Sequence, residues 1–153
     1  MTVTFFGHRD APSTIKETLK AILVSLIENE HATVFYFGNH GNFDFMVKYV
    51  LTELNKKYKT LDLTMVLAYM PKKEALLYND HYSTLLPFEA TETIPRFAIS
   101  ARNKWMIENS ELIITYVKHK FGGAYKFKCV AQKMKKRVLE ISDITQKTDV
   151  AAN

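Results

Sequence analysis

Five short apolar runs, each cut off by a glycine, a proline or a polar turn, constrain this chain more than anything else in it. Val3 to Phe6 stops at Gly7, Val34 to Phe37 stops at Gly38, and Leu63 to Ala68 is closed by Pro71. Leu112 to Val117 and Arg137 to Ile141 complete the set. Runs of four to six residues bounded in this way read as buried strands. Between them lie stripes of helical period. Ile15, Leu19, Ile22, Leu23, Leu26 and Ile27 follow helix-start chemistry at Pro12, Ser13 and Thr14, while Phe43, Met46, Val47, Val50, Leu51, Leu54 and Tyr58 follow the Gly38–Asn42 turn. Helical character returns near Ser100 and again from Ala124 to Lys136. Strands alternating with helices predict an α/β three-layer sandwich: a mainly parallel sheet of about five strands, with helices on both faces.

At 153 residues the chain suits one domain, long enough to bury roughly 70% of the surface of its unfolded chain. That domain is expected over residues 1–141. Residues 142–153 are polar and small and read as a frayed, flexible tail. The stretch from 72 to 98 shows neither period and is punctuated by Pro87 and Pro95. A loop of that length reads as a lid, a binding loop or a dimer element, and its Phe, Tyr and Leu residues make a homodimer an expectation. No apolar run approaches the ~20 residues that span a bilayer. Met1 to Phe6 has no basic region ahead of its apolar part, so no secretory leader is read there. One cysteine, Cys129, excludes an intramolecular disulfide and fits a reducing, cytoplasmic setting. It reads as a buried small hydrophobe.

The net charge of +5 permits anionic partners. Much of the excess lies between Lys118 and Arg137, read either as a solvated helix face or as a field drawing phosphate toward the nearby glycine turn. Nucleic acid is the less favoured partner, because stacking aromatics do not interleave with the cations. No membrane partner is expected.

A parallel sheet gathers its strand-to-helix turns at one edge, where backbone amides at helix starts favour anions. Four turns should converge there: Gly7-His8-Arg9-Asp10, Gly38 to Asp44, Tyr69-Met70-Pro71, and Tyr116 to Ala124. None is a P-loop, since no Gly-Lys-Ser or Gly-Lys-Thr occurs, and Gly38 and Gly41 lack the third glycine of a dinucleotide fingerprint. The expected ligand-binding residues are Gly7, His8, Arg9, Gly38, Asn39, Gly41, Asn42, Asp44, Arg102, Asn103, Gly122, Gly123 and Ala124. No metal or cofactor is expected: His40 and His119 stand apart, and no His/Cys/Asp spacing resembles a metal site.

Phe6-Gly7-His8-Arg9, Gly38-Asn39-His40-Gly41-Asn42-Phe43-Asp44, Arg102-Asn103-Lys104-Trp105-Met106, Ser110-Glu111-Leu112-Ile113-Ile114 and Gly122-Gly123 occur in that order. Together, over about residues 2–141, they resemble the SLOG superfamily, and most closely its small standalone bacterial members. That group includes the DNA-processing Smf proteins and the LONELY GUY phosphoribohydrolases. The resemblance implies a Rossmann-like fold binding nucleotides or nucleotide-derived ligands at the strand ends. Against the enzymatic branch, Arg102 and Met106 keep the spacing of its helix, and Glu111 stands where aspartate is usual. Its glycine loop departs. Phe121 replaces the proline, the Gly-Thr pair after Gly122-Gly123 is missing, and no glutamate appears before Glu140. The carboxylate that N-glycosidic cleavage requires has no counterpart there, though Asp44 or Asp10 lies in another turn.

The expectation is therefore non-catalytic binding of a nucleotide, nucleotide sugar or ADP-ribose-type ligand. The alternatives are a nucleotide N-glycosidase or phosphoribohydrolase, and a single-stranded-DNA accessory protein. No catalytic residue is assigned. Arg102 is read as the clamp on a phosphate, against a structural salt bridge to Glu108 or Glu111. Asp44 is read either as a helix cap or as an acceptor for ribose hydroxyls. Arg102→Ala is expected to weaken ligand more than tenfold while leaving the melting temperature nearly unchanged. Trp105 and Met106 are expected in the core.

Overall fold

In a computed structural model, which describes residues 1–72 and 79–152, β1 (Thr2–Gly7) runs through the middle of a six-stranded sheet. Every pairing in it is parallel. From β1 the chain moves outward through α1 (Lys16–Asn29), β2 (Val34–Phe37), α2 (Gly41–Lys57), β3 (Asp62–Val66) and β4 (Ser83–Leu85). It then crosses back through α3 (Phe88–Thr91) and α4 (Ala98–Glu108) to β5 (Leu112–Tyr116) on the other side of β1. α5 (Gly122–Lys133), β6 (Arg137–Glu140) and α6 (Ile141–Ala152) follow. The sheet order is β4-β3-β2-β1-β5-β6. The architecture is a Rossmann-like α/β sandwich with one strand more than the sequence predicts.

The strands alternate sides as period-two geometry requires. Val3 and Phe5 of β1, with Leu112, Ile114 and Tyr116 of β5, face a core shared with α1, α2 and Ile141. Phe6 and Ile113 face the opposite core, shared with Met106, Ile107, Phe127 and Ala131 of α4 and α5. Parallel strands covered on both faces read as continuous apolar runs, which is why β1 and β5 are legible in the sequence. Met106 is buried, and Trp105 is half-buried against the Tyr36 ring, 5.1 Å between centroids.

Two expectations change. The sixth strand, β4, lies within the stretch read as structureless, whose residues 73–78 are outside the described residues. Three residues pairing at a sheet edge, Thr64 opposite Ser83 through Val66 opposite Leu85, leave too short a pattern for alternation to register. The segment expected to fray from Ser142 is helical in α6, which begins with buried Ile141 and Ser142. Its start is held by Glu140, which accepts from both the Ser142 amide and hydroxyl. Among the described residues no helix is long and apolar enough to cross a membrane.

Candidate functional site

Strand order reverses at β1 and β5: everything before β5 lies on one side of β1, and everything after it on the other. Turns leaving the carboxyl ends of two such strands head to opposite faces and leave a crevice between them. Here the crevice is a cavity of about 380 Å³, a size suited to a small ligand. Its walls come from the β1 turn (Gly7 to Asp10), the start of α2 (His40 and Asp44), one face of α4 (Ile99, Arg102, Asn103, Met106), and the β5–α5 turn (His119, Phe121, Gly123, Ala124), over a floor of Phe5 and Phe6.

Arg102 is the central group. It lies in the second turn of α4 and is only 3% exposed. Its Nε donates to Asn103 Oδ1 at 2.8 Å and its Nη1 to the Val66 carbonyl at 3.0 Å, so α4 and the end of β3 together fix the fork. Among the described residues no carboxylate reaches ion-pair distance of it; Glu108 pairs with Lys104 instead. The structural salt bridge to Glu108 or Glu111 is therefore absent. Burial pulls the guanidinium below its ordinary value, with Asp44 and Tyr69 acting in the other direction. A buried cation whose protein partners are one amide oxygen and one carbonyl is under-compensated. Burial also alters the expectation for Arg102→Ala, since the truncation would orphan Asn103 Oδ1 and open a hole beside Met106.

Asp44 faces the same cavity from α2. Its Oδ2 accepts the His40 amide at 2.9 Å; His40 is the N-cap and Asp44 lies in the first turn, so the carboxylate reaches back to the cap amide in the manner of a capping box and is not itself the N-cap. Burial pushes the Asp44 carboxyl up to about 6, against the opposing pull of the His40 amide, Arg102 and Arg9. Gly38 passes between the two charges: a Cβ there would sit 2.6 Å from Asp44 Oδ2 and 3.1 Å from Arg102 Nη1. Any side chain at position 38 would displace one or both.

The β1 and β2 turns lock onto each other. Asn42 N–H donates to the Arg9 carbonyl at 2.8 Å, and Gly41 adopts φ +85°, where a Cβ would meet Arg9 Cα at 2.8 Å. Gly41 is thus a packing glycine between turns. His8 performs the same joining on the other side. Its Nε2 accepts the amides of Lys118 (2.9 Å) and His119 (3.3 Å), so the neutral ring carries its proton on Nδ1. Burial, then the neighbouring His119, holds His8 below its ordinary value, while Asp10 and Glu140 pull upward. His40 is lowered as well, by burial first and then by Arg102 and Arg9.

Of the thirteen expected ligand-binding residues, Gly7, His8, Arg9, Asp44, Arg102, Asn103, Gly123 and Ala124 line the cavity. Gly38, Asn39, Gly41, Asn42 and Gly122 do not; they build the turns behind it. Asn39 Oδ1 is buried without a hydrogen-bond partner. Gly122, at φ +89°, and Gly123 open α5, with nothing within 4 Å of a Cβ at either position. His40, His119 and Phe121 were not among the expected residues and do line the cavity. The available signal was their place inside the same turns, beside Gly38-Asn39 and Gly122-Gly123.

Glu140, the first glutamate after the glycine turn, serves the fold. It is buried at the end of β6 and accepts from the Thr115 hydroxyl, the Val117 amide, Ser142 and Lys128 Nζ, the last at 2.8 Å. Burial raises its carboxyl, yet Lys128, Val117 and Ser142 together bring it below its ordinary value. Part of the basic stretch is likewise structural: Lys128 pairs with Glu140, Arg137 with Glu30, and Lys136 donates to the Glu108 carbonyl. Lys118 and Lys120 remain exposed on the β5–α5 turn. Cys129 is half-buried rather than buried. Among the described residues no group of three His, Cys, Asp or Glu side chains could hold a metal ion.

The chain matches no protein-family model and no curated protein.

Proposed function

We propose that the cavity at the β1/β5 crossing binds a nucleotide or nucleotide-derived ligand, of the nucleotide-sugar or ADP-ribose type, without turning it over. One observation carries the reading. Arg102 is a 97%-hidden cation on the cavity wall with no acidic partner at ion-pair distance among the described residues. Its planar fork, held from behind by Asn103 and Val66, is suited to a phosphate entering from the cavity. The opening turn of α5 brings backbone amides to the same cavity through Gly123 and Ala124, with the positive end of the helix dipole behind them. Asp44 stands opposite as an acceptor for ribose hydroxyls. The order of motifs shared with the SLOG superfamily supports the same ligand class.

A thermal-shift screen against nucleoside monophosphates, cyclic nucleotides, ADP-ribose and nucleotide sugars tests this directly. A ligand at 100 times its Kd adds ~2.7 kcal/mol, which for a domain of this size raises Tm by about 5–10 °C. A dose-dependent rise within one class is expected. A flat response across the panel from folded protein overturns the reading.

Cleavage of an N-glycosidic bond is the second reading, and Asp44 is its support. A carboxyl held near 6 beside the cavity can both hold and release a proton at neutral pH. Free base appearing from a nucleoside monophosphate, and lost in Asp44→Asn, would replace the binding-only reading with this one.

A further inference from the structure

The mouth of the cavity carries an aromatic stack that the phosphate reading does not use. Phe121 is 70% exposed, yet it lines the cavity and occupies the residue that introduces α5, in extended backbone. Its ring lies nearly parallel to His119, 15° between planes and 5.2 Å between centroids. His119 in turn packs on His8 at 5.1 Å, and His8 meets Tyr116 edge-on at 6.2 Å. Tyr116 is buried and stacks on Phe43. The series therefore runs from the core to the solvent and ends in a ring with one face supported and the other uncovered. The His8 Nε2 bonds to the Lys118 and His119 amides fix the backbone beneath it.

An exposed phenylalanine alone is ordinary. This one differs in being anchored, and in standing beside bare glycine backbone that leaves the space next to it open. A supported aromatic face at the rim of an anion pocket has the geometry that stacks a planar heterocycle while the charged group lies deeper. We propose that Phe121 is the platform for the base of the nucleotide, with His119 and His8 as its backing. The inference rests on the phosphate reading of the cavity and adds the feature of the ligand that distinguishes a nucleotide from a sugar phosphate. Arg102 and the α5 amides hold the phosphate, and the free face of Phe121 holds the base. Stacking tolerates any base, because each has a π-face, so the platform selects for the presence of a base more than for its identity.

The test compares AMP with ribose 5-phosphate, which keeps the sugar and phosphate and lacks the base. Both are titrated calorimetrically into the intact chain and into Phe121→Ala and Phe121→Trp. Expected is AMP binding at least tenfold tighter than ribose 5-phosphate to the native protein. Phe121→Ala should erase that advantage and leave ribose 5-phosphate affinity unchanged, whereas Phe121→Trp should keep the advantage and show indole fluorescence quenched by AMP. Because Phe121 is exposed, an unchanged Tm in both variants separates lost stacking from lost folding. Equal affinity of the native protein for the two ligands, or an AMP preference that survives Phe121→Ala, overturns the platform and leaves the phosphate site standing. Binding of neither ligand at millimolar concentration overturns both.

Discussion

Replacing Asp44 by asparagine should make the free protein more stable. The carboxyl sits about two pH units above its ordinary 3.8, chiefly through burial, and at about 1.4 kcal/mol per pH unit that is a cost of about 3 kcal/mol to folding with the group ionised. The sign follows from proton counting. Above pH 6 the carboxyl is ionised in both folded and unfolded chains, and folding carries the full cost. Below 3.8 it is protonated in both, and the cost vanishes. Between the two the folded chain holds a proton that the unfolded chain has released, so this group makes stability fall as pH rises. Asparagine keeps an oxygen for the His40 amide and removes the charge. Urea unfolding of native protein and Asp44→Asn at pH 8, 6 and 4 reads the effect. The variant should gain about 3 kcal/mol at pH 8, less at pH 6, and little at pH 4. The same substitution should weaken AMP if Asp44 accepts ribose hydroxyls, a trade of affinity for stability expected of a group kept for its ligand. A variant no more stable than native at pH 8, or a gain that ignores pH, would show that the ionised Asp44 carboxylate does not weaken the fold.

Glu140 should behave in the opposite way. Its carboxyl is depressed overall, so it contributes stability above pH 4.5 that is lost as pH falls through its lowered folded value. Glu140→Gln should cost about 3 kcal/mol at pH 7, since it uncouples Lys128 and turns an amide NH₂ toward the donors on Thr115, Val117 and Ser142. Chemical denaturation at pH 7 measures it; a loss below 1 kcal/mol would remove Glu140 as the tie between β5, β6 and α6. His8 should report acid through its neighbours. Protonation of Nε2 sets N–H against the Lys118 and His119 amides, so their hydrogen exchange, corrected for its intrinsic pH dependence, should accelerate as pH falls below 6.5. Protection that stays unchanged once the His8 ring is protonated, as followed by its own imidazole NMR signals, would show that the ring does not hold that turn.

β1 and β5 were legible because they are buried on both faces and read as continuous apolar runs, and β2 because its half-buried Val34 and Tyr36 are apolar too; all three lie close to their predicted bounds. β4 was hidden because a three-residue edge strand makes no pattern. α6 was hidden because its polar composition reads as a tail, and because its cap, the Glu140 carboxylate two residues before Ser142, falls inside the Arg137–Ile141 run read as a strand. At the site, parallel topology gathered three of the four expected turns, so Gly7 to Arg9, Asp44 and Gly123 meet with Arg102 in one cavity, while Tyr69, Met70 and Pro71 do not line it. Topology did not say which turn residues face inward. Gly41 and Asn42 work against the Arg9 backbone. His40, His119 and Phe121 enter the cavity wall instead, through side-chain directions that spacing alone does not give. The burial of Arg102 was likewise beyond the sequence, because a lone arginine in a helix reads as solvated until β3 is seen to end beside it with the Val66 carbonyl.

The anion-receptor role proposed for Arg102 is tested by one calorimetric comparison: AMP titrated into the native protein and into Arg102→Met, with near-UV circular dichroism showing both folded. Measurable binding to the native chain is expected, with affinity at least tenfold weaker in the variant, the loss that follows when a charge-assisted contact to phosphate is removed. Equal affinity in the two folded proteins would contradict it.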